Sequence, residues 1–165
     1  MRPACDRVLC EVFNVQPDQI KRFKKGEHDF ILDTEFHIDL KITLKNNSQV
    51  TGQEKALSHE FYKFRTFTME FYQNWRTKEP GEFFKIASQF YLHGYSDKTG
   101  FEFAEWKIID LFRLIYWLRE TPIERLEAKT RRASGSRASF LWMDYDKIPQ
   151  AFIVKERLNP PQDVV

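Results

Sequence analysis

Two acidic residues and a lysine stand out in residues 26–44. Asp29 lies in one apolar run, and Asp39-Leu40-Lys41 lies in a second run ten positions later. Asp39 and Lys41 are two apart, so on a strand they project from the same face. Asp33 and Thr34, between the runs, have the composition of a tight hairpin turn. A loop from Asp33 to Glu35 would set Asp29 directly across from Asp39, where two carboxylates can share one divalent ion. Such a set suits phosphodiester hydrolysis. That reaction needs charge neutralised on the scissile phosphate, a water aimed or deprotonated, and the leaving oxygen stabilised. Magnesium, or manganese in its place, prefers hard oxygen ligands and keeps several waters, so two carboxylates and a backbone carbonyl suffice. The expected metal ligands are Asp29, Asp39 and the Leu40 carbonyl. Lys41 is expected beside the attacking water, where a neighbouring ion favours a lowered lysine pKa.

The pattern Asp/Glu-x-Lys occurs three times: Asp39-Leu40-Lys41, Glu105-Trp106-Lys107 and Glu127-Ala128-Lys129. The third lies in a polar segment with no strand signal. The second is a rival, because Asp97 precedes it across another expected hairpin. The first is preferred for its β-branched neighbours Ile38 and Ile42 and for the helices expected on either side. Its bland alternative is an exposed ion pair on an edge strand, worth at most ~1 kcal/mol. Apolar Phe36, Ile38, Ile42 and Leu44 argue for a buried strand instead, where a charged pair is costly without a role.

The elements that must hold these residues follow from periodicity. Residues 4–14 fit a short helix with Val8, Leu9, Val12 and Phe13 on its apolar side. Residues 16–25 are polar and contain Pro17, which ends it. The hairpin of 27–44 is followed by a loop at Asn46, Asn47 and Ser48. Thr51-Gly52-Gln53-Glu54 matches a capping box. Beyond it Leu57, Phe61, Phe64, Thr68, Phe71 and Trp75 recur at spacings of four and three, which predicts one helix to about Arg76. Pro80 and Gly81 break the chain. Residues 89–95 and 101–107 read as paired strands, 108–120 as a helix, and 140–145 and 151–155 as short strands around Pro149. Residues 124–138 are polar and rich in Ser and Arg. The expected fold is α/β: one domain over 1–158 with a central mixed β-sheet flanked by helices, and a frayed tail at 159–165.

This arrangement resembles the PD-(D/E)xK, or restriction-endonuclease-like, nuclease superfamily. That core is a helix, a hairpin carrying Asp and then (Asp/Glu)-x-Lys, a helix and further strands, and the order here is similar over roughly residues 4–111. The resemblance implies that Asp29 is the first Asp, Asp39 the Asp/Glu and Lys41 the Lys. It implies that Glu11, on the first helix, helps hold the metal, and that Gln53 follows the lysine strand. No Pro precedes Asp29, and the first of the usual three strands is not evident before residue 27. The function implied is a Mg2+-dependent (or Mn2+-dependent) endonuclease acting on DNA, with RNA as the alternative substrate, working as a homodimer. Lys24, Lys25, Arg131 and Arg132 are expected to grip the nucleic-acid backbone.

The composition agrees with a folded domain. The chain has 165 residues, 42% of them hydrophobic and 16% aromatic, too apolar for disorder. A net charge of +2 neither demands nor excludes a polyanionic partner. Cys5 and Cys10 lie near the start with no metal-ligand spacing around them, and the four His are scattered, which speaks against zinc. His28, His37 and His93 read better as structural than as catalytic. No apolar run is long enough to span a membrane, so a cytoplasmic location is expected. The contrasting expectation is a non-catalytic nucleic-acid- or protein-binding module that keeps the fold, binds no metal and tolerates Asp39→Ala.

Overall fold

Pro3 fits the first helical turn, where its missing N–H removes nothing, and no glycine interrupts the ten residues after it. The helix α1 (Arg2–Phe13) results, and Asn14 ends it in the left-handed conformation at φ 53°. The computed structural model of the protein describes residues 1–24, 26, 29–132 and 135–158. After α1 come β1 (Ile20–Arg22), α2 (Phe30–Phe36), β2 (Leu40–Thr43), β3 (Gln49–Leu57), a 3-10 turn (His59–Phe64), β4 (Thr66–Asn74) and β5 (Glu79–Pro80). Then follow α3 (Glu82–Lys85), β6 (Phe90–Ser96), β7 (Phe103–Asp110), α4 (Leu111–Arg119), α5 (Ile123–Glu127), β8 (Thr130–Arg131), β9 (Ser139–Asp144) and β10 (Ile153–Leu158).

The strands make a six-stranded sheet of order β1-β2-β3-β6-β7-β10 and a four-stranded sheet of order β5-β4-β9-β8. The larger sheet is mixed: β3 and β6 run parallel, and its other pairs are antiparallel. Alternation along each strand separates two cores. Leu40, Ile42, Phe90, Leu92, Trp106 and Ile108 face α1, which contributes Ala4, Cys5, Val8 and Leu9. Tyr91, Tyr95 and Ile109 face the other way, against Phe67, Met69, Phe71 and Leu141 of the smaller sheet and Leu114 and Leu118 of α4. The fold is a single-domain α/β architecture with a mixed central sheet flanked by helices. The smaller sheet adds to the single sheet expected.

Several expectations hold. Residues 90–96 and 103–110 pair antiparallel, the helix after them is α4, and the last two strands are β9 and β10. Two do not. The hairpin of 27–44 is absent: residues 30–36 form α2, begun at Asp29 and stopped by His37 at φ 49°. Among the described residues of this stretch only β2 is a strand, and it pairs with β1 and β3. A short strand, β1, lies before residue 27, where the sequence shows no strand signal.

The long helix over 51–76 is absent as well. Thr66-Phe67-Thr68-Met69-Glu70-Phe71 alternates with period two, burying Phe67, Met69 and Phe71 on one face. Phe61 and Phe64 of the expected helical stripe are exposed. The apparent capping box lies inside β3, where Gly52 lets the Phe90 ring pass so close that a Cβ would sit 2.2 Å from it. Propensity and spacing matched a helix, and cross-strand packing overrode them. The expected tail at 159–165 lies outside the described residues.

Candidate functional site

The β2–β3 hairpin brings Asp39 to Gln53. The ladder pairs Leu40 with Gly52, and one step beyond it the Asp39 N–H donates to the Gly52 carbonyl at 3.0 Å. The Glu54 N–H donates to Asp39 Oδ2 at 2.8 Å. The Gln53 amide has acceptors on both sides, so its nitrogen faces them, donating to Asp39 Oδ1 at 3.2 Å and to the His37 carbonyl at 2.6 Å. Lys55 is two residues beyond Gln53, so it projects from the same face of β3. Asp39, Gln53 and Lys55 therefore line one side of the sheet, opposite α1.

The electrostatics of this corner follow from its dryness. Desolvation pushes the Asp39 carboxyl up to about 7, and the carboxylates of Asp33, Glu54 and Glu82 push the same way. The Glu54 N–H opposes them without prevailing. Burial lowers the Lys55 ammonium. One Lys55 N–H donates to the Thr68 carbonyl at 3.1 Å, and the nitrogen stands 5.3 Å from the centroid of the Phe140 ring. Glu82 is buried at the head of α3, its Oε2 accepting the Glu70 N–H at 3.2 Å. Burial raises both Glu82 and Glu70 above the usual carboxylate range.

The other residues singled out in the sequence lie elsewhere or have other partners. Asp29, read as lying across from Asp39, instead precedes α2, where a negative charge suits the helix dipole, and pairs with Lys21 at 3.0 Å. Lys41 does share the Asp39 face, half-buried between Lys21 of β1 and Thr51 of β3. Leu40 turns its side chain to α1, and its backbone lies in the ladder between two strands. Glu11 is on the far side of the sheet, bound to Lys155 at 2.8 Å and near Arg157 at 3.6 Å. Lys24 is exposed, and Lys25 and His28 lie outside the described residues. Arg131 and Arg132 lie on the smaller sheet, stacked against Trp142 and Trp75.

The rival at Glu105 and Lys107 is a pair of satisfied ion pairs. Arg65 binds the buried Glu105 carboxylate with two of its three nitrogens, Nη2 at 2.8 Å and Nε at 3.2 Å. Lys107 pairs with Glu156. Asp97, read as its partner, folds a turn by accepting from Thr99 and Gly100 at 2.8 Å each. His93 is fully buried beside Tyr145 and held down to about 3 by desolvation, a structural residue. The Cys5 thiol is pushed up to about 12 by burial and is not a nucleophile.

Among the described residues no three carboxylate, imidazole or thiol groups stand together as a ready cage for a metal. Asp39 fits a more modest role. Each of its oxygens accepts one N–H and keeps a free lone pair, and magnesium is often held by one or two carboxylates with water and substrate phosphate. The donor set thus fits an ion recruited together with a phosphate. Sequence reasoning misses Lys55 and Glu70 because 51–76 matches a helix, and Glu82 because it follows the Pro80-Gly81 break with no pattern to mark it. The alternation in 66–71 was the available signal.

Among the described residues no helix is long and apolar enough to cross a membrane. No family model, no characterised relative and no solved structure matches the chain.

Proposed function

We propose that the protein is a metal-dependent nuclease of the PD-(D/E)xK kind, hydrolysing phosphodiester bonds in DNA, with its site on the β2–β3 hairpin. One observation carries the reading: a strand hairpin sets Asp39 against Gln53, with Lys55 two residues further on the same face. Asp39 then takes the part of the first Asp. Gln53-Glu54-Lys55 stands where the superfamily has (Asp/Glu)-x-Lys, with an amide for the second carboxylate. Lys41, on the neighbouring strand, becomes an auxiliary cation.

Asp39 would hold the divalent ion, Mg2+ or Mn2+, together with a phosphate oxygen of the substrate. A bound ion neutralises charge on the scissile phosphate and acidifies water. Gln53 fixes the Asp39 carboxylate by its amide N–H. Lys55 spends one N–H on Thr68 and has two left for the attacking water and the phosphate. Its burial eases release of a proton, which suits a group that aims or deprotonates water.

The test is cleavage of plasmid and single-stranded DNA with magnesium or manganese, wild type beside Asp39→Ala and Lys55→Ala. Cutting lost in both variants, with far-ultraviolet circular dichroism unchanged, supports the reading. Cutting that survives both, or no cutting and no metal binding by calorimetry in the wild type, removes it in favour of a binding module.

A further inference from the structure

The smaller sheet carries a second surface. Its edge strand β8, the end of β4 and the turn after it frame a pocket of about 920 Å³. Four arginines line this pocket: Arg76, Arg131, Arg132 and Arg137. Among the described residues no carboxylate pairs with any of them. Arg65, Lys78 and Lys147, also near the sheets, each hold an acidic partner.

Three of these arginines lie over tryptophan rings. The Arg131 guanidinium lies 3.7 Å from the Trp142 ring centroid, and that of Arg132 lies 4.0 Å from Trp75. Arg76 approaches Trp75 at 5.5 Å. The Trp75 N–H donates to the Arg137 carbonyl at 2.9 Å, which ties the turn to the strand segment opposite. Trp75 keeps 36% of its surface exposed. At these distances the rings restrain the Arg131 and Arg132 guanidinium groups, and a restrained guanidinium can meet a phosphate in two bonds.

We infer that this arginine–tryptophan pocket binds single-stranded nucleic acid, the guanidinium groups holding phosphates and the stacked, partly exposed Trp75–Arg132 pair receiving an unpaired base. Two observations favour a single strand over other polyanions. Unpaired cations interleaved with flat aromatic faces are what sequence-tolerant strand binding uses, and a duplex keeps its base faces covered. The pocket also adjoins the Asp39–Lys55 corner. Arg131 and Phe140 are ladder partners, and Phe140 is in turn the partner of Glu70. Directly opposed residues share a face, so Arg131, Phe140 and Glu70 form one row, with Lys55 over its middle ring. A strand held by the pocket is led along that row.

The experiment is fluorescence anisotropy with a labelled oligothymidylate of about 12 nucleotides, within the span one small domain covers, in EDTA so that nothing is cut. A duplex of equal length and heparin serve as comparisons. The single strand is expected to bind roughly tenfold tighter than the duplex and to quench tryptophan emission by stacking. Trp75→Ala and Arg132→Ala are expected to weaken it by roughly tenfold each, and Arg132→Ala to reduce the salt slope by about 0.7. Arg132→Lys restores charge without the stack and is expected to recover the slope but not the quenching. Equal binding of duplex, heparin competition without quenching, or variants that bind like wild type would overturn the inference. The wild type separates the two readings: tight single-strand binding in EDTA with no cleavage once magnesium or manganese is supplied would sink the nuclease reading alone.

Discussion

The Lys55 ammonium stands over the ring of Phe140, 5.3 Å from its centroid, and so joins the two sheets at the corner where Asp39 lies. Phe140 contributes an electron-rich face and no negative charge. The ammonium is therefore held in place without a carboxylate touching it. Lys41, by contrast, lies in a row with Lys21 and Thr51 on the outer strands.

From that difference, Lys55→Ala is expected to slow DNA cleavage by about 100-fold, the usual scale for losing a group that moves a proton or stabilises transition-state charge. Lys41→Ala is expected to slow it by less than about tenfold, as an auxiliary cation on the neighbouring strand would. Initial rates at matched protein stability measure both. The reverse ranking would return the catalytic lysine to Asp39-Leu40-Lys41.

Asp39 predicts a pH signature in stability. Its carboxyl is raised in the folded state to about 7, so folding is helped by its proton at low pH and that help is lost as pH rises from about 4 to about 7. Asp39→Asn removes this dependence. The variant is expected to gain on wild type across that window by an amount on the order of 4 kcal/mol, then run parallel above it. Urea midpoints at several pH values give the difference directly, and a flat difference would mean that Asp39 is well solvated.

Metal should act through the same residue. At pH 8 magnesium or manganese is expected to raise the wild-type melting temperature by mass action, and to leave Asp39→Asn unmoved. EDTA is expected to abolish cutting reversibly. An equal shift in both proteins would place the ion elsewhere.

Arg65 separates structure from catalysis. Arg65→Ala takes two N–H donors and their charge from the buried Glu105 carboxylate, and the loss is expected to be about 2 kcal/mol, less than for a fully buried pair because Arg65 is partly in solvent. Cleavage per folded molecule should not change. A large fall in activity with no loss of stability would revive the Glu105–Lys107 rival.

Gly52→Ala tests the hairpin itself. The added methyl meets the Phe90 ring, and the strain is expected at about 1–3 kcal/mol. In a Phe90→Leu background the same change should be milder, which a double-mutant cycle by denaturant melts would read.

The helix α1, the β6–β7 pair, α4 and the two last strands were legible in the sequence because each has one strong period and clear breakers. Asp39 and Gln53 were legible as candidates, and the hairpin brings them together. Lys55 was not, since Leu57, Phe61, Phe64, Thr68, Phe71 and Trp75 imitate a helical stripe although the last three belong to a strand or its end. Asp29 misled for a related reason: Phe30, Ile31 and Leu32 are as apolar as a strand, yet they wind into α2. Short apolar runs carry no period that tells the two apart. The tryptophan-backed arginines depend on strand pairs far apart in the chain, which no local pattern encodes.

That long-range pairing also sets an order of assembly. Asp39 and Gln53 meet across a short connection, whereas Thr66 must find Asp144 near the other end of the chain. Closing the longer loop carries the greater entropic barrier, so the hairpin forms early and β9 arrives late. Phe140 travels on β9. The acidic half of the corner thus exists before its lysine is seated, and hydrogen exchange should find β2 and β3 protected sooner during refolding than β8 and β9.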